Sequence, residues 1–241
     1  MRQSFLFSLL ISCVAAVIGN VLLQIVYAES QKPVEEEADW RALFDGKTLS
    51  GWKKTNFGGE NEVYVENENI VLEAGYPLTG ITFKDDFPKT NYAISLEAQK
   101  VDGIDFFCGL TFPVADSHCS FIVGGWAGGV VGISSIDGKD ASENETTTYM
   151  KFESKKWYKI RVRVTEDHLA AWIDDKQIVD QSLVGRKVST RAEVDLSTPL
   201  GISTFETKAF LRRLQYRPLK PIPQSADPSA DPSADPSAES R

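Results

Sequence analysis

The chain has 241 residues, 42% of them hydrophobic and 25% charged, and a formal net charge of −8. Residues 1–39 and 221–241 hold nine acidic and three basic side chains, so these flanks carry −6 and residues 40–220 carry −2. Because binding to nucleic acid requires a concentrated cationic face, this balance excludes nucleic acid as the expected partner. The central residues, about 180 of them, are enough to build one domain with a full hydrophobic core.

An apolar segment opens the chain and predicts its export. Arg2 precedes residues 5–27, which are almost entirely apolar. A positive charge before an apolar run is typical of a secretory signal peptide, and Val26-Tyr27-Ala28 resembles its cleavage site. The run is also long enough to span a bilayer as a retained anchor, and Leu10-Ile11-Ser12-Cys13 resembles the acylation site of a lipoprotein. All three interpretations predict a periplasmic, cell-surface or secreted domain, and only residues 1–28 are expected to meet the membrane.

Both flanks of the domain are predicted to lack regular structure. Residues 29–39 form an acidic linker, and residues 219–241 contain Ser-Ala-Asp-Pro three times followed by Ser-Ala-Glu-Ser. This repeat has no large apolar side chains to bury and its prolines interrupt helix and sheet, so we expect a disordered tail. The tail is interpreted as a spacer or wall-associated segment, or as a repeat expansion without a role of its own.

Residues 40–218 show the pattern of β-strands. In Tyr158–Val164 apolar and cationic residues alternate, which predicts that Ile160 and Val162 are buried while Arg161 faces away. About a dozen short strands separated by Gly, Asp and Pro turns predict an all-β sandwich of two antiparallel sheets. The other predicted strands are Val63–Glu66, Asn69–Glu73, Gly80–Phe83, Tyr92–Lys100, Phe106–Phe112, Ser120–Gly124, Val130–Ser134, His168–Ile173, Gln177–Asp180, Leu200–Thr204 and Phe210–Tyr216, with a short helix or turn at Leu183–Val188.

Two cysteines, Cys108 and Cys119, lie within the predicted domain. Export would permit a disulfide bond between them. If residues 113–117 form a hairpin loop, however, the numbers of facing residues sum to about 230, which places Cys108 opposite a residue near 122. Two reduced cysteines packed in the core are therefore favoured over a disulfide bond.

The segment from Leu43 to Trp52 reads Leu-Phe-Asp-Gly-Lys-Thr-Leu-Ser-Gly-Trp. It resembles the start of the 3-keto-disaccharide hydrolase domain family, formerly a domain of unknown function. Further segments resemble the family in the same order, so the resemblance covers nearly all of residues 40–218. These segments are Asn69–Leu72, Lys156–Ile160, the Trp172-Ile173-Asp174 hairpin, Leu200–Ser203 and Ala209–Leu214. The resemblance implies a jelly-roll sandwich of the concanavalin A-like lectin/glucanase type.

The resemblance also implies carbohydrate chemistry outside the cytoplasm, namely elimination or hydration of 3-keto-glycosides. The ketone acidifies the proton at C2, so a general base can remove it and the glycosidic oxygen at C1 can leave, with donors or a metal near the enolate oxygen. This sequence departs from the family in Asp105–Pro113 and Cys119–Gly125, where Gly109 matches but the Asn, Ser, Arg, Glu and Gln of the usual centre are not visible. The departure indicates a divergent member with another ligand or with none.

Three residues between positions 102 and 144 are the main site candidates. Pairing of the two predicted strands should bring Asp105 near Gly124-Gly125-Trp126, so Asp105 is the predicted general base and Trp126 the predicted sugar-stacking ring. His118 is a second candidate base or metal ligand, since its charge changes near neutral pH. The alternatives are that Trp126 closes one end of the sandwich and that His118 is only a turn residue.

Two more residues are predicted to contact a ligand. Asp137 lies in an Asp-Gly-Lys-Asp segment that resembles a turn as much as an acidic loop, and Arg191 either orients a ligand or forms a surface ion pair. A divalent cation needs several oxygen ligands at loop spacing, and no complete pattern indicates one, so the cofactor stays open. Glu193-x-Asp195 begins the Glu-x-Asp-x-x-Glu signature of jelly-roll glucanases, but Thr198 stands in place of its last Glu.

Three functional hypotheses follow: a domain acting on 3-keto-glycosides, a non-catalytic carbohydrate- or surface-binding sandwich, and a structural module of the cell envelope. A base, a cation and a metal ligand in one groove would favour the enzyme. An aromatic-lined groove without titratable partners would favour binding, and a groove filled by side chains would favour the structural role. In the first two cases a carbohydrate or glycoside is the expected ligand.

Overall fold

The computed structural model describes residues 40–220. The leader predicted at 1–28, the linker predicted at 29–39 and the repeat tail from residue 221 onward lie outside the described residues. Within residues 40–220, no helix is long and apolar enough to cross a bilayer.

The described residues form two antiparallel sheets, which confirms the predicted all-β sandwich. The strands are β1 (Arg41–Ala42), β2 (Trp52–Lys54), β3 (Val63–Glu66), β4 (Asn69–Leu72), β5 (Leu78–Phe83), β6 (Tyr92–Gly103), β7 (Cys108–Val114), β8 (Ser117–Gly124), β9 (Val130–Ser134), β10 (Thr148–Tyr149), β11 (Trp157–Val164), β12 (His168–Ile173), β13 (Lys176–Ser182), β14 (Gly201–Phe205) and β15 (Thr207–Pro218). Sheet 1 has the order β13-β12-β11-β6-β15-β4-β3, with β1 beside β15. Sheet 2 has the order β10-β9-β8-β7-β14-β5-β2.

Sheet 1 follows the alternation predicted for β11. Ile160 and Val162 are fully buried in the core between the sheets. Arg161 faces the outer side, where its guanidinium carbon lies 4.3 Å from the centre of the Trp172 ring on β12. The prediction holds because successive side chains of a strand point to opposite faces, so the period of two fixes which residues meet the core.

The β7–β8 hairpin of sheet 2 explains why the two cysteines stay apart. Cys108 faces Val123, one position from the residue expected, and Cys119 faces Phe112. Both cysteines are free and fully buried, which confirms the prediction of reduced thiols. Burial raises the pKa of both thiols, and this disfavours the thiolate that disulfide formation needs.

The sequence pattern misses short elements and strand ends. β1, β2 and β10 are not among the predicted strands, because two or three residues are too few to show a period of two. β7 begins at Cys108 and not at Phe106, because the backbone bends at Ile104 and Asp105. A 3-10 helix, Ala192–Ser197, lies in a segment that is not among the predicted elements.

The family-like segment from Leu43 to Trp52 serves the fold. The Asp45 carboxylate accepts hydrogen bonds from the backbone N–H groups of Thr48 and Lys47, at 2.7 and 2.8 Å, and these bonds lower its pKa. The Trp52 ring is buried, and its Nε1 donates to the Leu43 carbonyl oxygen at 2.7 Å. The segment is therefore a hydrogen-bonded turn that places a large ring in the core.

The packing of β11 can be tested with Ile160→Ala. This change should lower the free energy of unfolding by about 2–5 kcal/mol, because it leaves a cavity in the closed core between the sheets. Val184 is 74% exposed, and Val184→Ala should change stability by less than about 0.5 kcal/mol. Chemical denaturation of both variants measures the difference, and equal effects would contradict the predicted burial of Ile160.

Candidate functional site

Sheet 2 is buried on both of its faces. In β8, Phe121 and Val123 pack in the main core, whereas Ile122 points the other way into a second apolar cluster. The buried members of this second cluster are Leu78, Phe106, Ile122, Val130, Ala141 and Val194. The outer face of sheet 2 therefore carries a small core of its own.

Chain segments outside the strands pack down on this outer face. The 3-10 helix Ala192–Ser197 contacts β5 and β14. Phe106 lies over Gly109 of β7, where an added Cβ atom would meet the Phe106 ring carbon Cε2 at 3.0 Å. A side chain at position 109 would therefore require the Phe106 ring to shift by a few tenths of an ångström.

A cavity of about 240 Å³ remains where these segments meet. Its lining residues are Leu78, Asp105, Phe106, Ser120, Ile122, Trp126, Ser134, Arg191, Glu193, Val194 and Phe205. Three of the predicted site residues, Asp105, Trp126 and Arg191, are brought together here. His118 and Asp137 are not among the lining residues.

Trp126 lies in a tight turn between β8 and β9. Trp126 and Ala127 both have left-handed backbone angles, with φ of 49° and 65°. Such angles cost about 1–2 kcal/mol for a residue with a Cβ atom, and they persist only where the surroundings hold them. Trp126 is 41% exposed and lines the cavity, so its indole ring is accessible to a ligand.

Asp105 holds this turn from a different part of the chain. Its Oδ2 accepts a hydrogen bond from the Ala127 N–H at 2.9 Å, and its Oδ1 accepts one from the Phe106 N–H at 2.8 Å. The Asp105 backbone is itself tied to the Thr207 hydroxyl, which bonds both its N–H and its carbonyl oxygen at 3.1 Å. The Asp105 carboxylate therefore connects the Phe106 segment to the Trp126 turn.

Arg191 forms a charged network on the other side of the cavity. Its guanidinium pairs with Glu193 at 2.9 Å and with Asp140, whose Oδ1 accepts hydrogen bonds from Ser134 and Ser135. The hydrogen bond with Glu193 raises the pKa of Arg191, and the guanidinium in turn lowers the pKa of Glu193. The guanidinium of Arg191 therefore lies between two carboxylates, those of Glu193 and Asp140.

His118 lies on the same face of β8 as Ser120 but nearer the Pro113–His118 end of the hairpin. Burial of the half-buried ring, together with the Lys89 cation, lowers the pKa of His118, while Asp195 opposes the shift. The imidazole is thus neutral at pH 7. Its predicted role as a base or metal ligand stays a prediction, away from the cavity lining.

Asp137 supports a loop. Its Oδ1 accepts a hydrogen bond from the Lys187 N–H at 2.8 Å, and its Oδ2 pairs with Nε of Arg186 at 2.8 Å. Its predicted ligand contact also stays a prediction, outside the cavity. Across residues 40–220, no group of three or more His, Cys, Asp or Glu side chains is placed to hold a metal ion.

The sequence pattern misses the apolar walls of the cavity. Leu78, Ile122 and Val194 come from segments far apart in the chain, and none is singled out by a motif. One signal was available in β8, where Phe121, Ile122 and Val123 are all apolar. A continuous apolar run indicates a strand that is buried on both faces.

A family model described as the 3-keto-alpha-glucoside-1,2-lyase-like domain matches residues 39–217. The chain belongs to this family. The match begins just before the Leu43–Trp52 segment and ends within β15, so it covers the whole sandwich. No curated protein matches the chain.

Solved structures similar to this member of the family are jelly-roll sandwiches. A protein of Parabacteroides distasonis ATCC 8503, named as a glycosyl hydrolase, matches with a TM-score of 0.51 and 15% identity, over 78% of this chain and 98% of that protein. The Crh5 transglycosylase in complex with NAG matches with a TM-score of 0.51 and 10% identity, over 77% of this chain and 85% of the transglycosylase. At these identities the likeness is one of fold, and it confirms the predicted jelly roll.

The environment of His118 can be tested by NMR titration. His118 should titrate below its ordinary pKa of 6.5, because burial and Lys89 disfavour the imidazolium ion. Protonation then favours the unfolded state, so stability is full above pH 6.5 and is lost as the pH falls through the folded-state pKa. Lys89→Met should raise the pKa of His118, and Asp195→Asn should lower it further. A wild-type pKa at or above 6.5 would show that the ring is placed differently.

The role of Asp105 in the turn can be tested with Asp105→Ala. The Ala127 amide should lose its protection from hydrogen exchange, and the free energy of unfolding should fall by about 1–3 kcal/mol, since a charge-assisted hydrogen bond is lost. Asp105→Asn keeps one acceptor and should give a smaller effect. Asp102 is exposed, and its carboxylate accepts a hydrogen bond from the neighbouring Gly103 N–H at 2.8 Å, so Asp102→Ala is the matched control. Unchanged exchange at Ala127 in Asp105→Ala would refute this role.

Proposed function

We propose that residues 40–218 form an exported carbohydrate-binding domain whose ligand lies on Trp126 and enters the cavity beside it. The observation that carries the proposal is Trp126, a residue that is 41% exposed, lies on a left-handed turn and lines a cavity of about 240 Å³. A rigid aromatic ring offers a large contact area to the apolar face of a sugar at little cost in conformational entropy. Export is supported by the apolar segment 5–27.

Membership of the family supports a carbohydrate as the ligand class. The similar Crh5 transglycosylase is in complex with NAG. In this chain the exposed ring and the cavity offer the two features that sugar sites share, an aromatic face and a concave surface with a few polar groups.

The contacts that Asp105 and Arg191 make within the protein favour binding over catalysis. Both carboxylate oxygens of Asp105 accept backbone hydrogen bonds, and Arg191 pairs with Glu193 and Asp140. A general base must reach the proton that it removes, and an electrophilic donor must face the developing charge. In this arrangement the two candidate groups instead stabilise the protein around the cavity.

A second candidate function, elimination at a 3-keto-glycoside, is favoured by the family and by the shared cavity of Asp105 and Arg191. Asp105 would take the C2 proton, and the electron pair would move onto the C3 oxygen as an enolate facing Arg191. Return of this pair would form the C1–C2 double bond and expel the glycosidic oxygen, which leaves as an alcohol after protonation.

The binding site can be tested with Trp126→Ala. Titration calorimetry with a panel of oligosaccharides should first identify a ligand for the wild-type chain. Trp126→Ala should then weaken binding by about 30-fold, the loss of roughly 2 kcal/mol that is typical of an aromatic anchor. Trp126→Phe keeps an aromatic face and should lose much less. Equal binding by all three proteins would show that Trp126 does not contribute to ligand binding.

Incubation with oxidised and unoxidised disaccharides, with products measured by mass, separates the two candidate functions. Binding without a change in mass supports the binding domain. Conversion of the 3-keto sugar alone, abolished in Asp105→Asn, would support elimination and overturn the non-catalytic role.

A further inference from the structure

The walls of the cavity are apolar and deeply buried. Leu78, Ile122, Val194 and Phe106 are 4, 5, 7 and 9% exposed, and Phe205 packs against the same cluster. The charged groups lie nearer to solvent, since the side chains of Arg191 and Glu193 are 41 and 55% exposed. The cavity is therefore apolar in its depth and charged at its mouth.

Polar groups in the lining are engaged within the protein. The Ser120 hydroxyl is hydrogen-bonded to Thr111 at 2.8 Å, and the Ser134 hydroxyl donates to Asp140. The carboxylate of Asp105 is held by the N–H groups of Phe106 and Ala127. A sugar ring buried here would leave most of its hydroxyl groups without partners, and unpaired polar groups are costly to bury.

We propose that this cavity binds an apolar substituent of a glycoside, such as an aryl group, while Trp126 contacts the sugar ring at the mouth. This inference rests on the proposed carbohydrate-binding function and specifies its ligand class. The cavity is large enough for an aryl group, because a cavity of about 150 Å³ lined by aliphatic and aromatic side chains is sufficient for a benzene ring. A cavity of 240 Å³ accommodates a substituted phenyl ring.

The test compares methyl and phenyl glycosides of the same sugars, with glucose, galactose, mannose and N-acetylglucosamine as the sugars. Titration calorimetry on the full chain should give phenyl glycosides an affinity about tenfold or more above their methyl counterparts, because the ring removes apolar surface from water. Phenol alone should bind far more weakly than the best phenyl glycoside, since it makes no contact with Trp126.

Two variants locate the preference in the cavity. Val194→Phe fills the space and should bring the affinities for phenyl and methyl glycosides together, while Val184→Phe at an exposed position should leave the ratio unchanged. Ile122→Ala enlarges the space and should favour a naphthyl glycoside over a phenyl one. If Val194→Phe does not fold, the proposal is tested by the Ile122→Ala variant and by the ratio of the wild-type affinities for phenyl and methyl glycosides.

The possible failures are distinguishable. Binding of oligosaccharides that depends on Trp126, with equal affinity for methyl and phenyl glycosides, overturns this inference and leaves the proposed function intact. Absence of binding to every carbohydrate overturns both. Equal affinity for phenol and phenyl glycosides also overturns the inference, because the sugar would then contribute nothing.

Discussion

Burial of sheet 2 on both faces is the constraint on which the candidate site depends. All residues of β7 and β9 are buried, so the side of this sheet that faces away from sheet 1 needs a cover of its own. The cover consists of loop segments and the 3-10 helix Ala192–Ser197, and its residues Phe106 and Val194 share one apolar cluster with Ile122 of the sheet. The cavity lies where these segments meet, and its apolar walls are the side chains that close the rest of this small core.

Hydrogen bonds from outside the turn hold Trp126 in position. A left-handed conformation at two consecutive residues with side chains is unfavourable in isolation. Here the Asp105 carboxylate supplies an acceptor for the Ala127 amide, and Thr207 fixes the backbone of Asp105 from β15. The ring of Trp126 is thus set by a chain of hydrogen bonds that reaches from one sheet to the other.

The fold follows from the sequence where one local pattern decides the structure. The alternation of residues in β11 predicts its buried face, and the register of the β7–β8 hairpin predicts that Cys108 and Cys119 do not face each other. Both predictions succeed because they depend on the fixed period of a strand. The Leu43–Trp52 segment identifies the family, but its Asp45 and Trp52 stabilise the core. The resemblance therefore gives more information about the fold than about the activity.

Only part of the candidate site can be predicted from the sequence. Strand pairing brings Asp105 to the turn at Trp126, as predicted, since both lie at one end of the β7–β8 hairpin. His118 lies toward the other end, and strand register alone gives no measure of whether it reaches the same cavity. The walls formed by Leu78 and Val194 depend on how distant segments pack over the sheet, and single-sequence periodicity does not contain that information.

The surroundings of the tryptophans have an optical consequence. Trp52 is buried in the core, whereas Trp40, Trp157 and Trp172 each lie beneath an arginine side chain. Trp126 combines partial exposure with a position at the cavity. Its indole emission should respond to occupancy of the cavity against a steadier background from the other four rings, which gives the domain a built-in fluorescent reporter and makes chemical labelling unnecessary.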